Sequence, residues 1–145
     1  MTAGLIVCAA VLAATGVYGV VWRKRNGALR QTAQGGRADT LTPQQLGHPL
    51  GPRATLVQFS SAFCAPCRAT RRVLAEVAGM IDGVSHLEID AESRLELVRS
   101  LGILATPTVF VLDRDGTVLR RGTGLPRKAD VIAALGAIVP GDVRR

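Results

Sequence analysis

From Ala3 to Trp22 the chain runs twenty residues without a charge: AGLIVCAAVLAATGVYGVVW. As a helix rising about 1.5 Å per residue, such a run covers roughly 30 Å, the thickness of a bilayer hydrocarbon core. Tyr18 and Trp22 close its far end, where amphipathic rings favour the lipid interface, and Arg23-Lys24-Arg25 follow at once. A cleaved signal peptide is the alternative. Against it, no basic residue precedes the apolar run and no small-x-small cleavage pattern follows. Ile6 and Val7 stand before Cys8 where a lipidation site would have small residues. Residues 1–25 are therefore expected to be a transmembrane anchor with a basic flank, contacting the membrane through residues 3–22. Basic residues beside a span tend to stay in the cytoplasm. This predicts a single-pass plasma-membrane protein with a cytoplasmic body; an extracytoplasmic body is the alternative.

The formal charge of +7 looks like a sign of nucleic acid until it is located. Five basic residues and no acid lie between Arg23 and Arg37, whereas from Ala38 onward 13 basic residues face 11 acidic ones. The body is nearly neutral, which argues against a nucleic-acid partner. A chain 48% hydrophobic and 20% charged is too apolar to be disordered, and with only 3% aromatics its core must be aliphatic. Residues 26–40 are polar, contain glycine and lack periodicity, so they read as a flexible linker between the anchor and a domain at 41–145.

Within that domain strands and helices alternate. After a short helix near Pro43–Gly47, Ala54–Ser60 reads as a buried strand, and Ala65–Met80 as a helix with Val73, Leu74, Val77 and Ile81 at helical spacing. Val84–Asp90 is a second strand. Ser93 and Glu96 have capping-box spacing ahead of a helix containing Leu97, Val98 and Leu101. Thr108–Leu112 and Thr117–Arg121 flank an Asp113–Gly116 turn and form a hairpin. Pro126 suits the start of a last helix, whose apolar stripe is Val131, Ile132, Leu135, Ile138 and Val139. This order predicts an α/β fold: a mixed sheet flanked by helices on both faces.

Cys64 and Cys67 fall at the joint between the first strand and the long helix. Thiols at i and i+3 on a first helical turn share one side and can close a small disulfide ring. The helix amino end offers unpaired N–H groups and partial positive charge, which stabilise a thiolate on Cys64, and Arg68 adds a nearby cation. Cys64 is then the accessible nucleophile, Cys67 the buried resolving thiol, and Pro66 fits the first turn. A zinc site would need four ligands, and beyond this pair only the dispersed Cys8, His48 and His86 remain, so no metal is expected. A permanent structural disulfide closing so small a loop would stabilise little.

The run Phe59-Ser60-Ser61-Ala62-Phe63-Cys64-Ala65-Pro66-Cys67-Arg68, followed by Thr106-Pro107-Thr108-Val109-Phe110 and Asp115-Gly116, resembles the thioredoxin family. The resemblance implies a thioredoxin-like fold over roughly 40–145 and a protein thiol–disulfide oxidoreductase. Its implied cofactor is none beyond a redox-active Cys64–Cys67 disulfide. Its implied partners are disulfide-containing proteins and a reductase that recycles the dithiol. Pro107 matches the family's cis proline, which faces the cysteines and offers the Thr106 backbone to a substrate strand. Gly124, with Leu125 beside it, matches the glycine that completes an apolar docking surface of Phe63, Ala65, Pro66, Thr106 and Pro107. Phe63 stands where tryptophan is usual, Ala65 where glycine is common, and Arg72 where many members have a helix-kinking proline. Gln58 occupies the place of a buried aspartate that assists the resolving cysteine, and His86 the place of that aspartate's lysine partner. Glutamine cannot take a proton at neutral pH, so water or His86 would have to serve; alternatively His86 is a solvent-facing strand residue. Other functions consistent with these residues are an extracytoplasmic oxidoreductase for cytochrome or disulfide maturation and a non-enzymatic redox-sensing or scaffold module.

Overall fold

The computed structural model describes residues 2–31 and 40–138. Its first element, α1 (Thr2–Arg25), is exposed along the stretch Ala3–Arg25, which reaches a mean hydropathy of 2.2. A helix of that length and apolarity near the amino end suits a membrane span or a signal sequence.

Five strands form one sheet in the order β1-β5-β4-β2-β3. They are β1 (Arg30–Gln31), β2 (Ala54–Ser60), β3 (Val84–Asp90), β4 (Thr108–Asp113) and β5 (Val118–Thr123). β2 and β3 are parallel, from Ala54 opposite Val84 to Ser60 opposite Asp90, and the other pairs are antiparallel. All seven residues of β2 are buried, because helices cover both faces of the sheet. One face packs Leu56, Val109 and Val111 against Leu74 and Val77 of α3 (Ala65–Met80) and Val131 and Leu135 of α5 (Lys128–Gly136). The other packs Val57, Phe59, Phe110 and Leu112 against Leu46 of α2 (Pro43–Leu46) and the partly buried Leu97 and Val98 of α4 (Leu95–Ser100). Phe59 and Phe110 meet edge to face at 5.7 Å, and the Arg121 guanidinium lies 5.1 Å over the Phe110 ring. The predicted α/β architecture is thus the one observed.

Three local expectations change. Ser93 caps nothing: its hydroxyl donates to Asp90 O at 3.0 Å, and α4 starts at Leu95 after Arg94, which makes no side-chain cap. A local side-chain bond back to the last residue of β3 has outcompeted the capping box. Pro126 lies outside α5, whose N-cap is Arg127 at φ −78°, ψ 140° and whose helix begins at Lys128. Most consequential, the described ends of the segment read as a flexible linker, residues 26–31 and Thr40, bond to the sheet. Gly27 N–H donates to Thr123 O at 2.6 Å, Arg30 and Gln31 pair with Arg121 and Arg120, and Thr40 bridges Thr117. An edge strand held by backbone bonds, with exposed side chains, needs no apolar periodicity. Val139, placed on the last helix's apolar stripe, lies outside the described residues.

Candidate active site

β2 delivers the chain to Cys64, which forms the N-cap of α3 in extended conformation, φ −100° and ψ 97°. Ala65 and Pro66 then open the helix, where proline's missing N–H has no partner to lose. Cys64 and Cys67 are joined in a disulfide. Cys64 is partly exposed, while Cys67 is only 2% exposed. The N–H of Cys67 donates to Cys64 Sγ at 3.2 Å. After reduction the same N–H and the positive end of α3 would face the Cys64 sulfur, favouring its thiolate. Geometry therefore leaves one sulfur reachable at the helix start and buries the other one turn behind it.

The facing loop contains Thr106 and Pro107, whose peptide bond is cis. Ser61 Oγ and Thr106 Oγ1 lie 3.0 Å apart and tie this loop to the one before Cys64. Pro107 is buried and its carbonyl accepts the Gly124 N–H at 2.8 Å. Around these residues Phe63 is fully exposed, Ala65 and Pro66 are exposed, and Leu125 is 45% exposed. Gly124, at φ +91°, is not open: a Cβ there would meet Asn26 Oδ1 at 2.4 Å. Asn26, the residue after α1, covers the glycine assigned to docking. Sequence reasoning also missed Leu104, 97% exposed two residues before Thr106. Its position just ahead of Thr106-Pro107 was the available signal.

Beneath the disulfide, Gln58 is fully buried. Its amide nitrogen donates to Cys67 O and to Ser60 Oγ, each at 2.9 Å, and its amide oxygen lies 3.3 Å from His86 Nε2. Ser60 also bonds Glu88, which Arg71 grips through two N–H donors. His86 is thus a half-buried member of this network rather than a solvent-facing residue. Neither side chain's bond reaches a thiol: His86 meets Gln58, and Gln58 holds the carbonyl of Cys67. Gln58 accordingly fixes the start of α3 on the sheet, as a positioning residue.

Burial pushes the His86 imidazole below its ordinary value of 6.5; Glu88 opposes this and Arg71 reinforces it. The Glu88 carboxyl is held below its usual range chiefly by the Arg71 hydrogen bond. For both groups the unfolded chain binds protons more readily, so stability falls with pH. His86 acts first, below about pH 6.5, and Glu88 only as pH drops below about 4.5. Thermal melting of the oxidised protein should therefore be lower at about pH 5.5 than at about pH 7.5, and His86→Gln should flatten that difference. An equal slope in the variant would remove His86 from the account.

Comparison with known proteins agrees with this geometry. Residues 49–138 match the family model of the thioredoxin-like domain. The chain belongs to the thioredoxin-like family. Thioredoxin H2-1 of Oryza sativa subsp. japonica is 32% identical over 77 residues, covering 53% of this chain and 55% of that protein. The chain thus spans about half the length of this relative. Thioredoxin of Mycobacterium tuberculosis is 28% identical over 89 residues, covering 61% and 76%. Among solved structures, chloroplastic thioredoxin z superposes with a TM-score of 0.56 at 28% identity, covering 62% of this chain and 81% of that one. Phe63, which the sequence resemblance sets at a tryptophan position, is a fully exposed ring that keeps the rim apolar. Gln58, which the resemblance sets at the place of a buried acid, is a neutral amide that makes hydrogen bonds but accepts no proton.

Proposed function

We propose that this protein is a membrane-tethered thiol–disulfide oxidoreductase that reduces protein disulfides. The Cys64 thiolate attacks one sulfur of a substrate disulfide, forming a mixed disulfide and expelling the other sulfur as a thiolate, which takes a proton from water. The Cys67 thiolate then attacks Cys64 Sγ and expels the second substrate sulfur, leaving the Cys64–Cys67 disulfide. Two electrons pass from protein to substrate. A partner reductase returns them, and no other cofactor is needed. The observation behind this reading is the sulfur of Cys64 at the N-cap of α3, bonded by the Cys67 N–H with its partner sulfur buried behind it. Phe63, Ala65, Pro66, Leu104, Thr106, Pro107 and Leu125 would form the rim that substrates meet.

The anchor reading rests on the apolar helix Ala3–Arg25 and the basic turn that ends it. By the charge rule the body is cytoplasmic, where thiol pools keep such a dithiol reduced. An exported body in disulfide or cytochrome maturation is the second reading, since the same apolar helix also suits a signal sequence. The test is reduction of insulin disulfides by the full-length protein in detergent, against Cys64→Ser. Turnover equal to that control would leave only a scaffold or sensor role. Labelling Cys64 in intact cells with a membrane-impermeant maleimide decides the side: protection is expected, and strong labelling would move the body outside.

A further inference from the structure

The anchor helix and the catalytic disulfide leave the sheet at the same end. β1 is antiparallel to β5, so the chain emerging from α1 first meets the carboxyl end of β5, where Gly27 N–H bonds Thr123 O. β4 is antiparallel to β5 and begins at that end, beside Pro107, whose carbonyl holds Gly124. β2 is antiparallel to β4 and finishes there at Ser60, just before Cys64. The Asp113–Gly116 turn stands at the opposite end, between β4 and β5.

The join is short and shaped to fit. Asn26 follows Arg25, the last residue of α1, and already covers Gly124. Gly27 sits at φ +84° with its Cβ position 1.9 Å from Leu125 O, an approach only glycine permits. Leu29 packs against the core, and Arg30 and Gln31 complete the strand. A groove of about 440 Å³ between α1 and the β5 edge is lined by Trp22, Arg25, Arg30 and Arg121 among others. The last turn of α1 adds Arg23 and Lys24, and Arg127 lines a cleft with Lys24 and Asp130, so cations outnumber acids where anionic headgroups would lie. At the same end of the sheet are the exposed apolar side chains Phe63, Leu104 and Leu125. Such groups suit the lipid interface or an apolar protein surface lying in it.

We infer that the disulfide-bearing end of the domain faces the bilayer, and that its substrates are disulfides of membrane-embedded proteins at headgroup depth. This rests on the anchor and dithiol readings proposed above and adds an orientation and a substrate class. A domain on a long tether would sample all directions and serve soluble disulfides equally. Here six residues, Asn26–Gln31, lie along the sheet edge instead.

The test uses the full chain in vesicles of phosphatidylcholine and phosphatidylglycerol, with a nitroxide on a fraction of the headgroups. Trp22, the chain's single tryptophan, should be quenched in the native protein. An unquenched Trp22 would overturn the anchor and with it this inference. In a Trp22→Phe background, Phe63→Trp and Leu104→Trp report the active-site end, and Arg114→Trp reports the far turn. Quenching at the first two should exceed that at the third by roughly threefold, given the narrow depth of the interface. Equal quenching, or stronger quenching at position 114, would overturn the orientation. Because quenching needs no thiol chemistry, that result would leave the oxidoreductase reading standing. A second arm compares reduction of one disulfide peptide, either lipid-anchored in the same vesicle or free. Inserting about twenty Gly/Ser residues between Arg25 and Asn26 should lower the preference for the anchored peptide by roughly tenfold. An unchanged ratio would show that tethering alone sets it, against the inference.

Discussion

Cys64→Ser should abolish turnover of a protein disulfide, while Cys67→Ser should capture substrate as a stable mixed disulfide. The two variants separate because the sulfurs have different surroundings. Cys64 is partly exposed and receives the Cys67 N–H, so it is the sulfur placed to meet a substrate. A serine hydroxyl there is not ionised at neutral pH, and loss of a nucleophile costs on the order of 10³-fold or more in rate. Cys67 is 2% exposed, so the capture step does not need it. Without it nothing evicts the captured substrate, and the adduct should persist as a measurable mass increment. Either substitution opens the Cys64–Cys67 ring, whose sequence separation is 3, so the lost cross-link costs only about 2 kcal/mol. Residual turnover equal in the two variants would mean that neither sulfur has a distinct role.

Gln58→Leu should destabilise the oxidised protein by about 2–4 kcal/mol, read by denaturant titration. Leucine fills a similar volume but leaves the Cys67 carbonyl, Ser60 Oγ and His86 Nε2 without the bonds that Gln58 gives them in a fully buried position. Unpaired groups there lose their hydration without compensation. Gln58→Asp tests a different step. A carboxylate there would offer a proton acceptor beneath Cys67, reaching it through a water, which the amide cannot do, so the mixed disulfide should resolve faster. Leucine offers no such acceptor and should not shorten its lifetime. An aspartate variant that resolves no faster would show that water already takes this proton.

The sheet and its helices were legible because their signals are local. β2 reads as a buried strand through Leu56, Val57 and Phe59, since both its faces are covered, and α3 repeats Leu74 and Val77 at helical spacing above the sheet. Cys64 and Cys67 were legible for the same reason, being one helical turn apart at a strand–helix joint. What escaped depends on contacts between distant segments. β1 is held by backbone bonds to β5, so Arg30 and Gln31 carry no pattern that marks a strand. The cover over Gly124 comes from Asn26, nearly a hundred residues earlier. His86 looked like a lone polar residue because its partner Gln58 belongs to the neighbouring strand. Ser93 had the spacing of a cap, but a competing bond to Asp90 O lay closer to hand.

The account turns on how readily the Cys64 sulfur ionises. Thiolate absorbance of the reduced full-length protein, titrated with Cys8→Ser to silence the remaining thiol, measures this directly. Cys64 should lose its proton below the roughly 8.5 of free cysteine, and the pair should cycle between dithiol and disulfide. A first thiol titrating at or above that value, in a pair that cannot be reoxidised, would contradict it.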